Sequence, residues 1–145
     1  MRKIKQIFLH CAATPEGKDF TVADIRKWHL QRGFNDIGYH YVIYRDGTVN
    51  KGRDVEKIGA HAIGWNANSI GICYIGGVAA DGKTPKDTRT PEQRIALLKL
   101  VYELLEKYQL TPEAVFGHCE VSNKLCPSFD MHKFRDELRT FISKR

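Results

Sequence analysis

Apolar positions along this chain recur with two periods, and the switches between them predict its elements. Ile7-Phe8-Leu9 is a short apolar run ending at the polar pair His10-Cys11, so residues 4–10 are expected to form a buried strand entering a site. Residues 21–32 follow a helical pattern. Thr21 stands as N-cap with Asp24 three positions on, Val22, Ile25 and Trp28 share one face, and Gly33 is placed to stop the helix. Residues 39–44 predict a strand, Arg45-Asp46-Gly47-Thr48 a hairpin turn, and Val49 the lead of the returning strand. Residues 69–75 predict another apolar strand closed by Gly76-Gly77, and residues 79–89, rich in turn formers and without periodicity, predict a loop.

The longest predicted helix opens at Thr90-Pro91-Glu92-Gln93, which supplies an N-cap, a proline at the first helical position and a capping-box glutamine. Ile95, Leu98, Val101, Tyr102, Leu105 and Tyr108 then recur at helical spacing. Thr111-Pro112-Glu113 predicts a short helical turn before the strand-like Ala114-Val115-Phe116. Asp130 is placed to cap a last helix with Phe134, Leu138, Phe141 and Ile142 as its apolar stripe. Strands and helices interleave around a hairpin, with no internal repeat or interdomain linker. The expectation is an α/β fold: one domain over residues 1–145, with a mixed central β-sheet and helices packed on its faces.

Composition changes this picture little. At 42% hydrophobic and 28% charged residues over 145 positions, the chain can bury a core, which excludes wholesale disorder. No apolar run approaches the roughly 18 to 20 residues of a membrane helix. The opening residues lack the apolar stretch of about 7 to 15 residues that marks a signal peptide, so synthesis in the cytoplasm is expected. The formal net charge of +6 attracts polyanions in general, but the basic residues are scattered, as on a solvated surface. Without a signal peptide, Cys11, Cys73, Cys119 and Cys126 read as free thiols or metal ligands rather than disulfides.

Candidate chemistry gathers at His10, His118 and Cys126, the last two eight residues apart. Two imidazoles and a thiolate suit tetrahedral Zn²⁺, and three protein ligands leave a fourth position for water. Because neighbouring side chains on a strand point to opposite faces, His10 and Cys11 should not share one metal, and Cys11 is expected in the core. From residue types alone, three readings stay open: a catalytic zinc site, a structural Cys/His zinc site, and ordinary core or surface histidines.

An ordered set of segments narrows these readings. Phe8-Leu9-His10-Cys11-Ala12-Ala13-Thr14, Ile25-Arg26-Lys27-Trp28-His29 and Asp36-Ile37-Gly38-Tyr39-His40-Tyr41 are followed by Asp46-Gly47-Thr48 and Gly59-Ala60-His61-Ala62. Asn66-Ala67-Asn68-Ser69-Ile70-Gly71-Ile72 and Lys124-Leu125-Cys126-Pro127-Ser128-Phe129-Asp130 complete the set. In this order they resemble the zinc-dependent N-acetylmuramoyl-L-alanine amidases, which include amidase-type phage lysozymes and peptidoglycan recognition proteins. The resemblance runs from residue 6 to about residue 134. It implies a hydrolase cutting the amide between N-acetylmuramic acid and L-alanine in peptidoglycan, with one Zn²⁺ per chain. His10, His118 and Cys126 fall on the family's zinc ligands, Tyr39 on its active-site tyrosine, and Lys124 on the lysine that phage relatives carry beside the metal. His61 matches a histidine of the substrate groove. The glutamate that some relatives place near the metal is not assignable here.

Other residues receive plainer readings. His40 should point away from Tyr39 and pack, and His29 follows a core-facing tryptophan and reads as structural. Asn66, Asn68 and Ser69 read as fixing the loop before a strand. Cys119 stands where relatives more often carry a polar residue, which raises packing, oxidation or crowding of the metal. A monomer acting on peptidoglycan or a muropeptide, with no specific nucleic acid and no membrane span, is the expectation. The rivals are a non-catalytic peptidoglycan-binding module, which relatives become on losing a zinc ligand, and a polymerase or nucleic-acid regulator. Retention of all three ligands argues against the first, and the lack of a stacking or helix-turn-helix motif against the second.

Overall fold

The computed structural model describes residues 2–145. Its centre is β1 (Gln6–Cys11), whose residues Ile7 to Leu9 are at most 1% exposed. A short β2 (Thr14–Pro15) follows, then α1 (Val22–Gln31), and then the hairpin of β3 (Tyr41–Ile43) and β4 (Val49–Lys51). β5 (Ser69–Tyr74) lies beside β1, and β6 (Gly77–Val78) pairs with β2. α2 (Pro91–Tyr108), β7 (Val115–Gly117) and α3 (Met131–Ser143) complete the chain. The five-stranded sheet has the order β4-β3-β5-β1-β7, parallel except for the antiparallel β3–β4 edge. The expected mixed sheet is therefore present.

Alternation along β1 divides the molecule. Ile7, Leu9 and Cys11 enter the larger core with Leu97, Leu100, Val101 and Leu104 of α2 and Phe134 and Leu138 of α3. On the α1 side, Ile25 packs with Ile37, Val42 and Ile75 in a second core, while Phe8 stacks on Phe116 with ring centroids 5.6 Å apart. Helices thus cover both faces, and successive residues of one strand serve different layers.

Each helix begins as its sequence predicts. Thr21 and Asp24 form a reciprocal capping box, as do Thr90 and Gln93, each satisfying two otherwise unpaired backbone N–H groups. Asp130 caps α3 by accepting from the N–H groups of His132 and Lys133. Asp46 organises the hairpin turn by accepting from Thr48 N, and Gly47 takes φ 89°, which a side chain would disfavour.

Two expectations need correction. The buried face of α2 comprises Gln93, Leu97, Leu100, Val101, Leu104 and Leu105, whereas Ile95 is 59% exposed. Apolar residues occur on more than one side of this helix, so docking on the sheet, not periodicity, selected the face. Gln93 helps select it by donating to the carbonyls of Ile43 and Ile75 from a fully buried position. Second, regular pairing of β3 begins at Tyr41, so Tyr39 and His40 precede the strand. His40 N–H still donates to Gly71 O at 2.9 Å, keeping this lead-in against β5. As expected, β5 ends before Gly76-Gly77; Gly77 then opens β6, where a Cβ would crowd Cys11 Sγ.

Candidate active site and metal centre

Parallel register assembles the site. β7 ends at Gly117, paired with Leu9, so the next residues of the two strands, His10 and His118, emerge side by side. Their ring centroids are 4.7 Å apart. A short helical turn (His118–Glu120) and an irregular segment then bring the chain back, and Cys126 Sγ lies 3.8 Å from His10 Nδ1. The backbone N–H of Cys11 donates to that sulfur at 3.0 Å. One donor atom from each of His10, His118 and Cys126 lies within 4.8 Å of the others. Ligands about 2.0 to 2.3 Å from a tetrahedral zinc stand roughly 3.3 to 3.8 Å apart, so the set suits the ion in chemistry, and the His10–Cys126 pair has that spacing.

The other cysteines stay outside the trio. Cys11 is buried in the larger core, its Sγ 3.8 Å from Ser128 Oγ, and Cys73 is fully buried in β5. Cys119 packs against the larger core and its backbone N–H donates to Cys126 O at 2.7 Å, so it supports the loop carrying Cys126 without joining the candidate trio. None of the four cysteines is joined in a disulfide.

A groove of about 610 Å³ opens over the trio on the α1 side of the sheet. Tyr39 lines it, its ring 5.1 Å from that of His10. Burial raises the Tyr39 hydroxyl well above its ordinary range, so it remains a proton-bearing donor. Lys124 lines the opposite wall from an exposed position, and its charge lowers the pKa of both His10 and His118, on top of the larger effect of burial. Metal binding needs neutral imidazoles, and both shifts favour that form.

His61 lies deeper than a groove-surface residue. It is 8% exposed, and its Nδ1 is 2.9 Å from His10 Nε2. Desolvation brings its pKa to about 3, so the ring is neutral. Asn66 Oδ1 accepts from the backbone N–H groups of His61 and Ala62, Asn68 donates to Lys3 O, and Ser69 Oγ stands 3.3 Å from His61 Nε2, so these residues do fix the loop. His40 packs as expected: its Nδ1 accepts from Gly71 N–H, and its Nε2 lies 2.8 Å from Lys57 O.

Sequence reasoning did not foresee the wall formed by His29, Arg32 and Phe34. His29 is structural, accepting the Gly38 N–H at Nδ1, yet its ring also stands 5.3 Å from that of Tyr39. The signal lay in the helical spacing, because position 29 follows Ile25 by one turn. No aspartate or glutamate is among the described residues lining the groove. Glu120, two residues after His118, is turned away, held by Arg135 at 2.8 Å and by Gly117 N–H at 2.9 Å.

An N,N,S cluster beside the carboxyl ends of parallel strands, next to a groove with a tyrosine and a lysine, has the donor set and surroundings that a metal-dependent hydrolase needs. The sequence pattern of the N-acetylmuramoyl-L-alanine amidase family matches residues 1–129, a span that includes all three candidate ligands. The endolysin of Klebsiella phage KP32 is 43% identical over 141 residues, covering 96% of this chain and 91% of that protein. The solved structure of N-acetylmuramoyl-L-alanine amidase LysC from Clostridium intestinale URNW superposes with a TM-score of 0.81 at 30% identity, covering 95% of this chain and 87% of that one. Drosophila PGRP-LB superposes with a TM-score of 0.72 at 29% identity, covering 88% and 76% respectively. This chain belongs to the N-acetylmuramoyl-L-alanine amidase family and is an enzyme of that class.

Proposed function

We propose that the chain hydrolyses the amide between the lactyl group of N-acetylmuramic acid and L-alanine in peptidoglycan, with one Zn²⁺ held by His10, His118 and Cys126. The observation that carries this reading is the convergence of the three donors, with Cys126 Sγ 3.8 Å from buried His10 Nδ1, beside a groove that His118 and Cys126 line. Bound there, zinc would lower the pKa of a water to about 7 and polarise the scissile carbonyl. Tyr39, protonated at neutral pH, hydrogen-bonds the attacking water and orients it. Lys124 places an ammonium where negative charge develops on the carbonyl oxygen. A groove lined by Arg32 and Lys124 without carboxylates also suits the carboxylate-bearing stem peptide.

The expected substrate is polymeric wall or a muropeptide, taken up by a monomer. Among the described residues no helix is long and apolar enough to cross a membrane. We propose that the enzyme is made in the cytoplasm and reaches the wall on release or lysis, the mode that relatives named endolysins suggest. The test pairs metal analysis with turbidity loss on purified bacterial walls. One zinc per chain, activity abolished by chelation and restored by Zn²⁺, is the expected result; full activity in metal-free protein overturns the reading.

A further inference from the structure

The shortest contact of His10 outside the ligand trio is with His61, and everything around His61 holds that imidazole in one place. Its backbone N–H and that of Ala62 are tied to Asn66 Oδ1, both at 2.9 Å. Two glycines leave room for the ring. A Cβ on Gly71 would stand 2.6 Å from its Cγ, and one on Gly59 would stand 2.7 Å from its Cδ2. Ser69 Oγ, on a fully buried residue, lies 3.3 Å from its far nitrogen. A side chain built only to contact substrate needs an exposed edge and no such cradle.

We propose that His61 is a positioning residue for the metal centre: it fixes the tautomer and rotation of His10 so that Nδ1 presents its lone pair to the ion. This rests on the zinc reading above. Proton placement follows from the geometry. Nδ1 of His10 faces Cys126, so a neutral His10 that ligates there carries its hydrogen on Nε2. That Nε2–H donates to His61 Nδ1, 2.9 Å away. The hydrogen of neutral His61 is then on Nε2, from which it donates to Ser69 Oγ. Each nitrogen in the series has one role, and no two hydrogens face each other. Reversing the tautomer of His61 would place an N–H against His10 Nε2 and force the His10 hydrogen onto the nitrogen the metal needs. Partners of this kind commonly set the orientation of metal-bound histidines, and losing one costs about 10- to 100-fold in metal affinity.

Two replacements of similar size separate the acceptor from the volume it fills. His61→Asn can place an amide oxygen close to where Nδ1 sat, whereas His61→Leu supplies no acceptor. The measurement is zinc affinity of the full chain by competition with a chromophoric chelator, with long-range proton–nitrogen NMR of the zinc-loaded wild type to identify the metallated nitrogen of His10. Leu is expected to weaken zinc binding by about 10- to 100-fold, with Asn recovering most of the loss. NMR is expected to report Nδ1 metallated and Nε2 bearing hydrogen. Leu binding zinc as tightly as wild type, Asn binding as weakly as Leu, or metallation at His10 Nε2 would each overturn the proposal. If Leu does not fold, the wild-type NMR result decides alone. Wild-type protein that binds no zinc defeats the underlying zinc reading, an outcome distinct from all of these.

Discussion

The two walls of the groove are built differently. On the α1 side, the residues around His61 and Tyr39 are tied down by long-range bonds to backbone groups. His29 accepts from Gly38 N at 2.8 Å, and Arg53 donates to the carbonyls of Ile37 and Ile58. Arg2 donates to Val55 O at 2.7 Å and also to Ser69 O, joining the chain start to the same region. On the opposite side, the segment carrying His118, Lys124 and Cys126 combines bonds within itself with ties at its ends, where Cys11 N–H donates to Cys126 Sγ and Arg135 holds Glu120. Cys119 N–H donates to Cys126 O, Ser128 N–H to Leu125 O, and Ser122 Oγ to His118 O. Tyr74 OH, donating to Pro127 O at 2.7 Å, anchors its far end to the sheet. Between these ties, Asn123, Lys124 and Leu125 are exposed. One wall is held throughout by the rest of the fold, and the other leaves an exposed stretch, residues 123–125, between its ties.

The largest effect expected from this contrast is on metal retention. Chelation should abolish wall hydrolysis, and Cys126→Ser or His118→Ala should weaken zinc binding by more than the roughly 100-fold upper cost of losing a supporting partner. Cys73→Ser, in a strand outside the trio, should leave stoichiometric zinc; equal loss in both cysteine variants would identify the wrong sulfur. Next in size is turnover. Lys124→Ala and Tyr39→Phe should each lose about 10²- to 10³-fold in kcat while keeping zinc and fold, since removing a donor aimed at developing charge typically costs that much. Lys124→Arg should not restore the rate fully, because a planar guanidinium does not replace a compact ammonium. Release of L-alanine amino termini from purified wall measures both, and near wild-type turnover in either variant makes that residue a bystander.

A smaller effect distinguishes the walls directly. Adding zinc to metal-free protein should slow amide exchange across residues 118–126 more than in β1 or β5, where the sheet already protects the backbone. Uniform slowing across the molecule would mean that both walls are equally preorganised. The smallest effect concerns acid. Burial lowers His29 and His40 from 6.5 to about 4, so the folded state binds fewer protons than the unfolded one between those values. Their contribution to stability is present above pH 6.5 and is lost as pH falls toward 4. Urea midpoints of metal-free protein should decline over that window, and less so in His29→Gln; a flat profile would show that neither ring is held neutral by the fold.

Much of the fold was legible in local pattern. Caps at Thr21, Thr90 and Asp130, the Asp46-Gly47 turn and the apolar run of β1 act within a few residues, so sequence alone determined them. Period-two alternation likewise placed His10 and Cys11 on opposite sides of β1 without knowledge of what covers either side. The segments shared with amidases named His10, His118, Cys126, Tyr39 and Lys124, but only as a set, because no spacing within one strand or helix relates residues 10, 118 and 126.

What only the tertiary structure decided depends on contacts between distant segments. The parallel register of Leu9 with Gly117 brought His10 and His118 level. The sheet, not helical periodicity, selected which apolar face of α2 is buried and left Ile95 in solvent. His61 could be matched to a groove by motif, yet its 2.9 Å approach to His10 Nε2 arises from a loop packed across β5, with Gly71 leaving space for the ring. A hydrogen bond between residues 51 apart has no local period to announce it. It exists because the folded backbone brings the two rings together out of water, where an unpaired ring nitrogen would be costly.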